Sequence, residues 1–139
     1  MMNSYEHQAQ YYETDQMGII HHSNYIRWME SSRIWYMSQI GVDYRTMEET
    51  GIISPVLEVS CQYKSMVRFG DTVLIEPEIE KYNGVTLELS YRITDKESGE
   101  LRMLGNSKHC FLDSSGKIVS LKKSYPEYDR AFKARLKRE

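Results

Sequence analysis

The stretch from Ser23 to Gly41, SNYIRWMESSRIWYMSQIG, decides the fold. Tyr25, Trp28, Met29, Ser32, Trp35, Tyr36 and Ile40 recur at helical spacing, and Ile26, Ile34 and Met37 form a second apolar row. A helix apolar on most sides is expected to be largely buried. Ser23 and Asn24 carry side chains that can accept from the free N–H groups of a helix start. Gly41 is placed to end the helix, since glycine reaches the left-handed C-cap conformation without a steric penalty. Trp28, Met29, Trp35 and Tyr36 read as core. Glu30 and Arg33, three residues apart on an otherwise apolar helix, are within reach of one another and are expected to form a structural ion pair.

After Gly51 the apolar period changes from helical to two. Leu57, Val59, Cys61 and Tyr63 alternate with Glu58, Ser60, Gln62 and Lys64, which predicts a half-buried strand. Thr72 to Tyr82 is a second strand, in which Pro77 cannot donate to a ladder and implies an edge or a bulge. Asn83-Gly84 suits a type I′ hairpin turn. Val85 to Ile93 then alternates strictly, and another strand runs from Leu101 to Leu112. Ile118 to Leu121 extends the sheet in this reading. Ser124-Tyr125-Pro126-Glu127 looks like a capping box opening a final helix over 124–138, with Tyr128, Phe132 and Leu136 on one face. Upstream of the long helix, Tyr5 to Tyr12 alternates loosely as a short strand. The order strand, helix, antiparallel meander predicts an α+β domain in which a sheet wraps one central helix. A partly apolar opposite sheet face would point to oligomerisation.

Length and charge narrow the function. The 139 residues fit a single domain over 1–139, since domains run to roughly 100–200 residues. With 18 Lys plus Arg against 20 Asp plus Glu, the net charge is −2, which disfavours general nucleic-acid binding. Cys61 and Cys110 show no CxxC spacing, so neither a zinc site nor a disulfide framework is suggested. No secretory signal or membrane-spanning run is visible, and a cytoplasmic location is expected. The sequence contains neither a GxSxG elbow nor the glycine loops of nucleotide-binding sites. His109 and Cys110 are neighbours in a predicted strand, so they point to opposite faces and cannot act together.

The remaining chemistry lies in Tyr12 to Tyr25, YETDQMGIIHHSNY. Asp15 sits in a glycine-containing loop directly before a helix start. Free N–H groups there can hold a developing oxyanion, and an ionised carboxylate beside them can attack or activate water. Acyl transfer is the matching reaction, although a turn residue or a partner of the helix dipole would use Asp15 as well. Asp15, His21 and His22 offer metal-binding atom types, but no fourth ligand stands at a recognisable spacing, so no metal is expected.

This segment resembles the 4-hydroxybenzoyl-CoA thioesterase branch of the hotdog-fold acyl-CoA thioesterases, which includes the YbgC-like enzymes. The matching residues are Tyr12, Thr14-Asp15, Gly18, His22, Asn24-Tyr25, and Glu30 with Arg33; the Phe69-Gly70-Asp71 turn also falls in place. The resemblance implies that Asp15 is the catalytic carboxylate, nucleophile or general base, and that the backbone N–H of His22 polarises the thioester carbonyl. It implies substrate-binding places for Gly18 and Tyr25. Lys64 and Arg68 are candidates for the phosphates of coenzyme A, which belongs to the substrate rather than being a cofactor. It further implies a homodimer or homotetramer with the site at the subunit interface. His21 departs from the aromatic residue common at its position. A hotdog module that binds acyl-CoA or acyl carrier protein without catalysis is the alternative.

Overall fold

The computed structural model describes residues 4–136. The chain runs β1 (Tyr5–Gln8), a 3-10 turn (Tyr11–Glu13), α1 (Ser23–Gln39), α2 (Tyr44–Glu49), β2 (Val56–Tyr63), β3 (Thr72–Tyr82), β4 (Thr86–Asp95), β5 (Leu101–Cys110), α3 (Leu121–Ser124) and α4 (Pro126–Ala134). The strands form one antiparallel sheet in the order β1-β3-β4-β5-β2. This is the expected α+β wrap, with α1 against the inner face. Leu87, Leu89, Tyr91 and Ile93 of β4 meet Val73, Ile75 and Ile79 of β3 and Met103 of β5 in a buried layer. Met29 and Met37 pack on it from α1.

Helix and sheet pack closely at Gly105. A methyl group there would lie 2.8 Å from the Met103 methyl and 3.0 Å from that of Met29. Glycine leaves room there for the ends of the Met103 and Met29 side chains, which would have to move for any larger residue. Beyond Ile40, the Val42 N–H bonds the Met37 carbonyl at 2.8 Å and closes the helix through Gly41, as expected.

Several local expectations are corrected. Strand β2 is an edge strand, and every residue except Cys61 is exposed, because alternation reveals two faces but not what covers them. On α1 the first apolar row is buried or half-buried, while Ile26 and Ile34 of the second row face outward. The opposite sheet face is polar, carrying Glu76, Glu78, Glu88, Ser90, Arg92, Asn106 and Lys108. Asn83 has no positive φ, so the turn is not type I′; its Oδ1 instead accepts from the Val85 and Thr86 N–H groups. Strand β1 stops at Gln8, and the chain folds into the 3-10 turn.

At Pro77, β3 has already passed the end of β1, so it is locally an edge, and a register shift follows between Ile79 and Lys81. Ile118 contributes only an isolated bridge to Leu112, and Leu121 opens α3. Ser124 ends that helix and does not cap the next. The C-terminal helix covers Pro126–Ala134, with Tyr125 at its N-cap and no side-chain cap. The expected end of that helix at 138 lies outside the described residues. No described helix is long and apolar enough to cross a membrane.

Candidate active site

The segment before α1 is a tight hairpin. Thr14 bridges Ile20, and Ile19 bridges Arg68. Asp15 stands at the corner, where its backbone N–H donates to the Ile19 carbonyl at 2.8 Å. One carboxylate oxygen, Oδ1, accepts from the Met17 N–H at 2.8 Å and the Ile19 N–H at 3.4 Å. The other, Oδ2, has no donor among the described residues. A carboxylate held by one oxygen is fixed in direction and keeps the second for chemistry. Gly18 makes this turn at φ +78°, a conformation that other residues reach only with strain.

The start of α1 lies beside this corner. His22 is the N-cap, and its backbone N–H has no acceptor among the described residues. Asp15 and His22 open onto the same cleft of about 290 Å³, together with Ile19, Ile20, Tyr25, Tyr63, Lys64, Ser65 and Met66. Tyr25 is buried, with ring centroids 5.1 Å from those of Trp28 and Tyr63. Burial pushes the Tyr25 hydroxyl upward and that of Tyr63 up to about 12, so both are neutral walls at neutral pH. Tyr63 also donates to the His22 carbonyl at 3.4 Å. Of the six candidate residues, Asp15, His22, Tyr25 and Lys64 thus line one cleft. Gly18 shapes the loop behind it. Arg68 is exposed and outside the lining, and its backbone N–H is bound to the Asp71 carboxylate at 2.9 Å.

His21, which the sequence left without a role, caps the helix. Its Nδ1 accepts from the Ser23 N–H at 3.2 Å and lies 2.9 Å from Ser23 Oγ. The capping expected of Ser23 and Asn24 is therefore taken by the His21 ring, two residues ahead of Ser23, and Asn24 turns inward to donate to the Glu13 carbonyl at 2.9 Å.

Glu13 was not singled out by the sequence, yet it ties the site together. Its carboxylate accepts from Trp28 Nε1 at 2.8 Å and the Gln10 N–H at 2.8 Å, and meets His7 Nε2 at 3.0 Å. Its carbonyl accepts from Asn24 Nδ2 and the His21 N–H. The loop carrying Asp15 is therefore pinned to β1 and to α1 at once. Burial raises the Glu13 pKa, but the bonds from Gln10, His7 and Trp28 outweigh it and leave the carboxyl below its usual 4.5.

One turn further along α1, the expected Glu30–Arg33 ion pair is absent. Glu30 is exposed, whereas Arg33 is 2% exposed and turns away. Its Nη1 approaches Met37 Sδ at 3.7 Å, and its guanidinium carbon lies 5.6 Å from the centre of the Tyr44 ring. Sequence spacing set the reach of the two side chains but not their directions. Among the described residues no group of three His, Cys, Asp or Glu side chains is arranged to hold a metal ion.

A family model for the thioesterase-like superfamily matches residues 10–135. The chain belongs to the thioesterase-like superfamily. It is 36% identical over 128 residues to the candidate acyl-CoA thioesterase YneP of Bacillus subtilis (strain 168), covering 91% of this chain and 92% of that protein. It is 26% identical over 85 residues to the acyl-CoA thioesterase YbgC of Haemophilus influenzae, covering 60% and 62% of the two chains. Among solved structures, the DHNA-CoA thioesterase of Staphylococcus aureus superposes with a TM-score of 0.91 at 33% identity, covering 95% of this chain and 89% of that one. The fold is thus the hotdog fold that the sequence suggested.

Proposed function

We propose that this protein is an acyl-CoA thioesterase, hydrolysing a thioester to free CoA and a carboxylic acid. The observation that supports this most is that Asp15, whose second carboxylate oxygen has no donor among the described residues, and His22, whose backbone N–H has no acceptor among them, line one cleft in a chain of the thioesterase-like superfamily. The thioester carbonyl lies between them. The His22 N–H donates to its oxygen and stabilises the negative charge that develops on attack. Asp15 Oδ2 either bonds to the carbonyl carbon directly or removes a proton from an attacking water. In the first route the CoA thiolate leaves, and water then cleaves the acyl-aspartyl anhydride. In the second, the tetrahedral intermediate collapses to acid and thiolate in one pass.

Gly18 lets the loop turn close to the substrate, and Tyr25 walls the acyl group. Lys64 at the rim, with Arg68 beyond it, is positioned to meet the phosphates of CoA. Coenzyme A or acyl carrier protein carries the acyl group in this reading, and no cofactor takes part. The cleft stands at the end of the exposed edge strand β2, which fits a homodimer or homotetramer with the site at the subunit interface. Two free cysteines fit a cytoplasmic setting.

The test is release of free thiol from a panel of aliphatic and aromatic acyl-CoAs. Hydrolysis of at least one member is expected, and the preferred acyl group names the substrate. Tight binding with no turnover of any member would instead favour a non-catalytic acyl-binding module.

A further inference from the structure

The cleft that holds Asp15 has two sides, tethered by different residues. Glu13 fixes the side formed by the Asp15 hairpin. The opposite side is the connection between β2 and β3, residues 64–71, from which Lys64, Ser65 and Met66 line the cleft. This connection lies outside any helix or strand, so contacts beyond its own backbone must hold it in shape. Part of the support is the hairpin itself, where the Ile20 N–H donates to the Val67 carbonyl at 2.9 Å and Arg68 bridges Ile19.

Both ends of the connection are tied to Arg102, near the start of β5. Its backbone carbonyl accepts from the Lys64 N–H at 2.8 Å and the Ser65 N–H at 3.2 Å. Its Nη1 donates to Ser65 Oγ at 3.1 Å, and that hydroxyl in turn donates to the Leu101 carbonyl at 2.8 Å. At the far end Nη2 lies 3.8 Å from Asp71 Oδ2, the same oxygen that accepts from the Arg68 N–H at 2.9 Å. Nη2 also meets Asp95 at 3.3 Å, and Nη1 meets Glu100 at 2.9 Å. The side chain is only 13% exposed, so water screens these contacts little, and the planar guanidinium fork fixes several directions at once. Arg102 itself does not line the cleft. Its reach is to the wall.

We propose that Arg102 is a positioning residue for substrate binding, which sets the 64–66 wall so that Lys64 faces the CoA portion of the entering thioester. The inference rests on the thioesterase reading and divides its labour between two clamps. Glu13 holds the reacting carboxylate, and Arg102 holds the wall that receives the substrate. Loosening the wall weakens binding but leaves the chemical step in place, because the bonds from Asp15 Oδ1 to the Met17 and Ile19 N–H groups do not pass through Arg102.

The test measures kcat and KM with the best acyl-CoA of the panel, and the Kd of free coenzyme A by calorimetry, in the full chain. The variants are Arg102→Met, Ser65→Ala, Lys64→Met and Lys64→Met combined with Arg102→Met, each checked for folding by circular dichroism. Arg102→Met is expected to raise KM and Kd about tenfold with kcat within about twofold of wild type. Ser65→Ala cuts the hydroxyl link and leaves the guanidinium its three carboxylates, so it carries the test if Arg102→Met does not fold; it should raise both constants about threefold. Because Arg102 acts through Lys64, the combined variant should match Lys64→Met within about twofold. Unchanged KM and Kd in Arg102→Met, or in Ser65→Ala where the former does not fold, would overturn the proposal and leave Arg102 a structural ion cluster whose loss lowers Tm alone. So would a fall in kcat at constant KM, or losses that add in the combined variant. A wild type that binds coenzyme A without turnover leaves the Kd comparison to decide, whereas one that neither hydrolyses nor binds would remove the thioesterase reading and this inference with it.

Discussion

The two halves of α1 treat buried polar groups differently. At the N-terminal end, Glu13 has hydrogen-bond partners from Gln10, His7 and Trp28, and Asn24 and His21 bind its carbonyl. Further along α1, Arg33 Nε is buried without a hydrogen-bond partner, as is Nδ1 of His109 on β5, which borders the same small cavity. The first half is therefore complete within one chain and can hold Asp15 in place before any ligand arrives. The second leaves Arg33 Nε and His109 Nδ1 without hydrogen-bond partners among the described residues, so packing rather than polar contact holds them. Satisfaction of its buried polar groups is what marks the N-terminal half as preorganised.

The largest effect that could break this contrast comes from Glu13→Ala, which orphans the buried Trp28 Nε1–H and the Gln10 N–H. A loss of about 3 kcal/mol is expected, since each orphaned donor costs roughly 1–3 kcal/mol, with a fall in Tm on the order of 10 °C. A change within experimental error would show that the N-terminal half does not depend on its clamp.

Acid should reach the two halves at different pH values. His109 takes up a proton near 6.5 in the unfolded chain but only near 3 when folded. Between those values the unfolded state binds more protons, so stability falls as pH drops from about 6.5. The Glu13 carboxyl is held below 4.5, so its contribution is complete above that value and is lost as pH falls through the folded pKa. Acid unfolding followed by circular dichroism should begin with a gradual loss that His109→Gln removes. A steeper loss below pH 4.5 should flatten in Glu13→Gln.

Smaller effects sharpen the picture near Asp15. Gly18→Ala meets no neighbouring atom but must adopt φ +78°. It should cost about 1–2 kcal/mol, and by loosening the corner it should lower turnover more than acyl-CoA affinity. His21→Ala removes the helix cap and should cost about 1 kcal/mol, with kcat nearly unchanged. A large loss of kcat in that variant would assign His21 a chemical role.

The sequence revealed what depends on short-range order. The Asp15 loop, Gly18 and the start of α1 follow one another within a few residues, and local physics read them together. The wrap of sheet around helix followed from two apolar periods. Glu13 was missed because its side-chain partners His7 and Trp28 are 6 and 15 positions away and share no period with it. Strand β2 looked half-buried because alternation carries no information on whether a covering layer exists. The Glu30–Arg33 spacing was right for an ion pair, but the direction of Arg33 along the helix is set by Met37 and Tyr44.

The central claim is that the free oxygen of Asp15 performs the chemistry. Turnover and acyl-CoA affinity of Asp15→Asn, measured on one folded preparation with the best substrate of the panel, test it most directly. Asparagine keeps the side-chain oxygen that anchors the corner to Met17 and removes the carboxylate. A fall in kcat of roughly 10²–10⁴-fold with little change in Kd is expected. Turnover at the wild-type rate would contradict the assignment and move the reacting group elsewhere in the cleft.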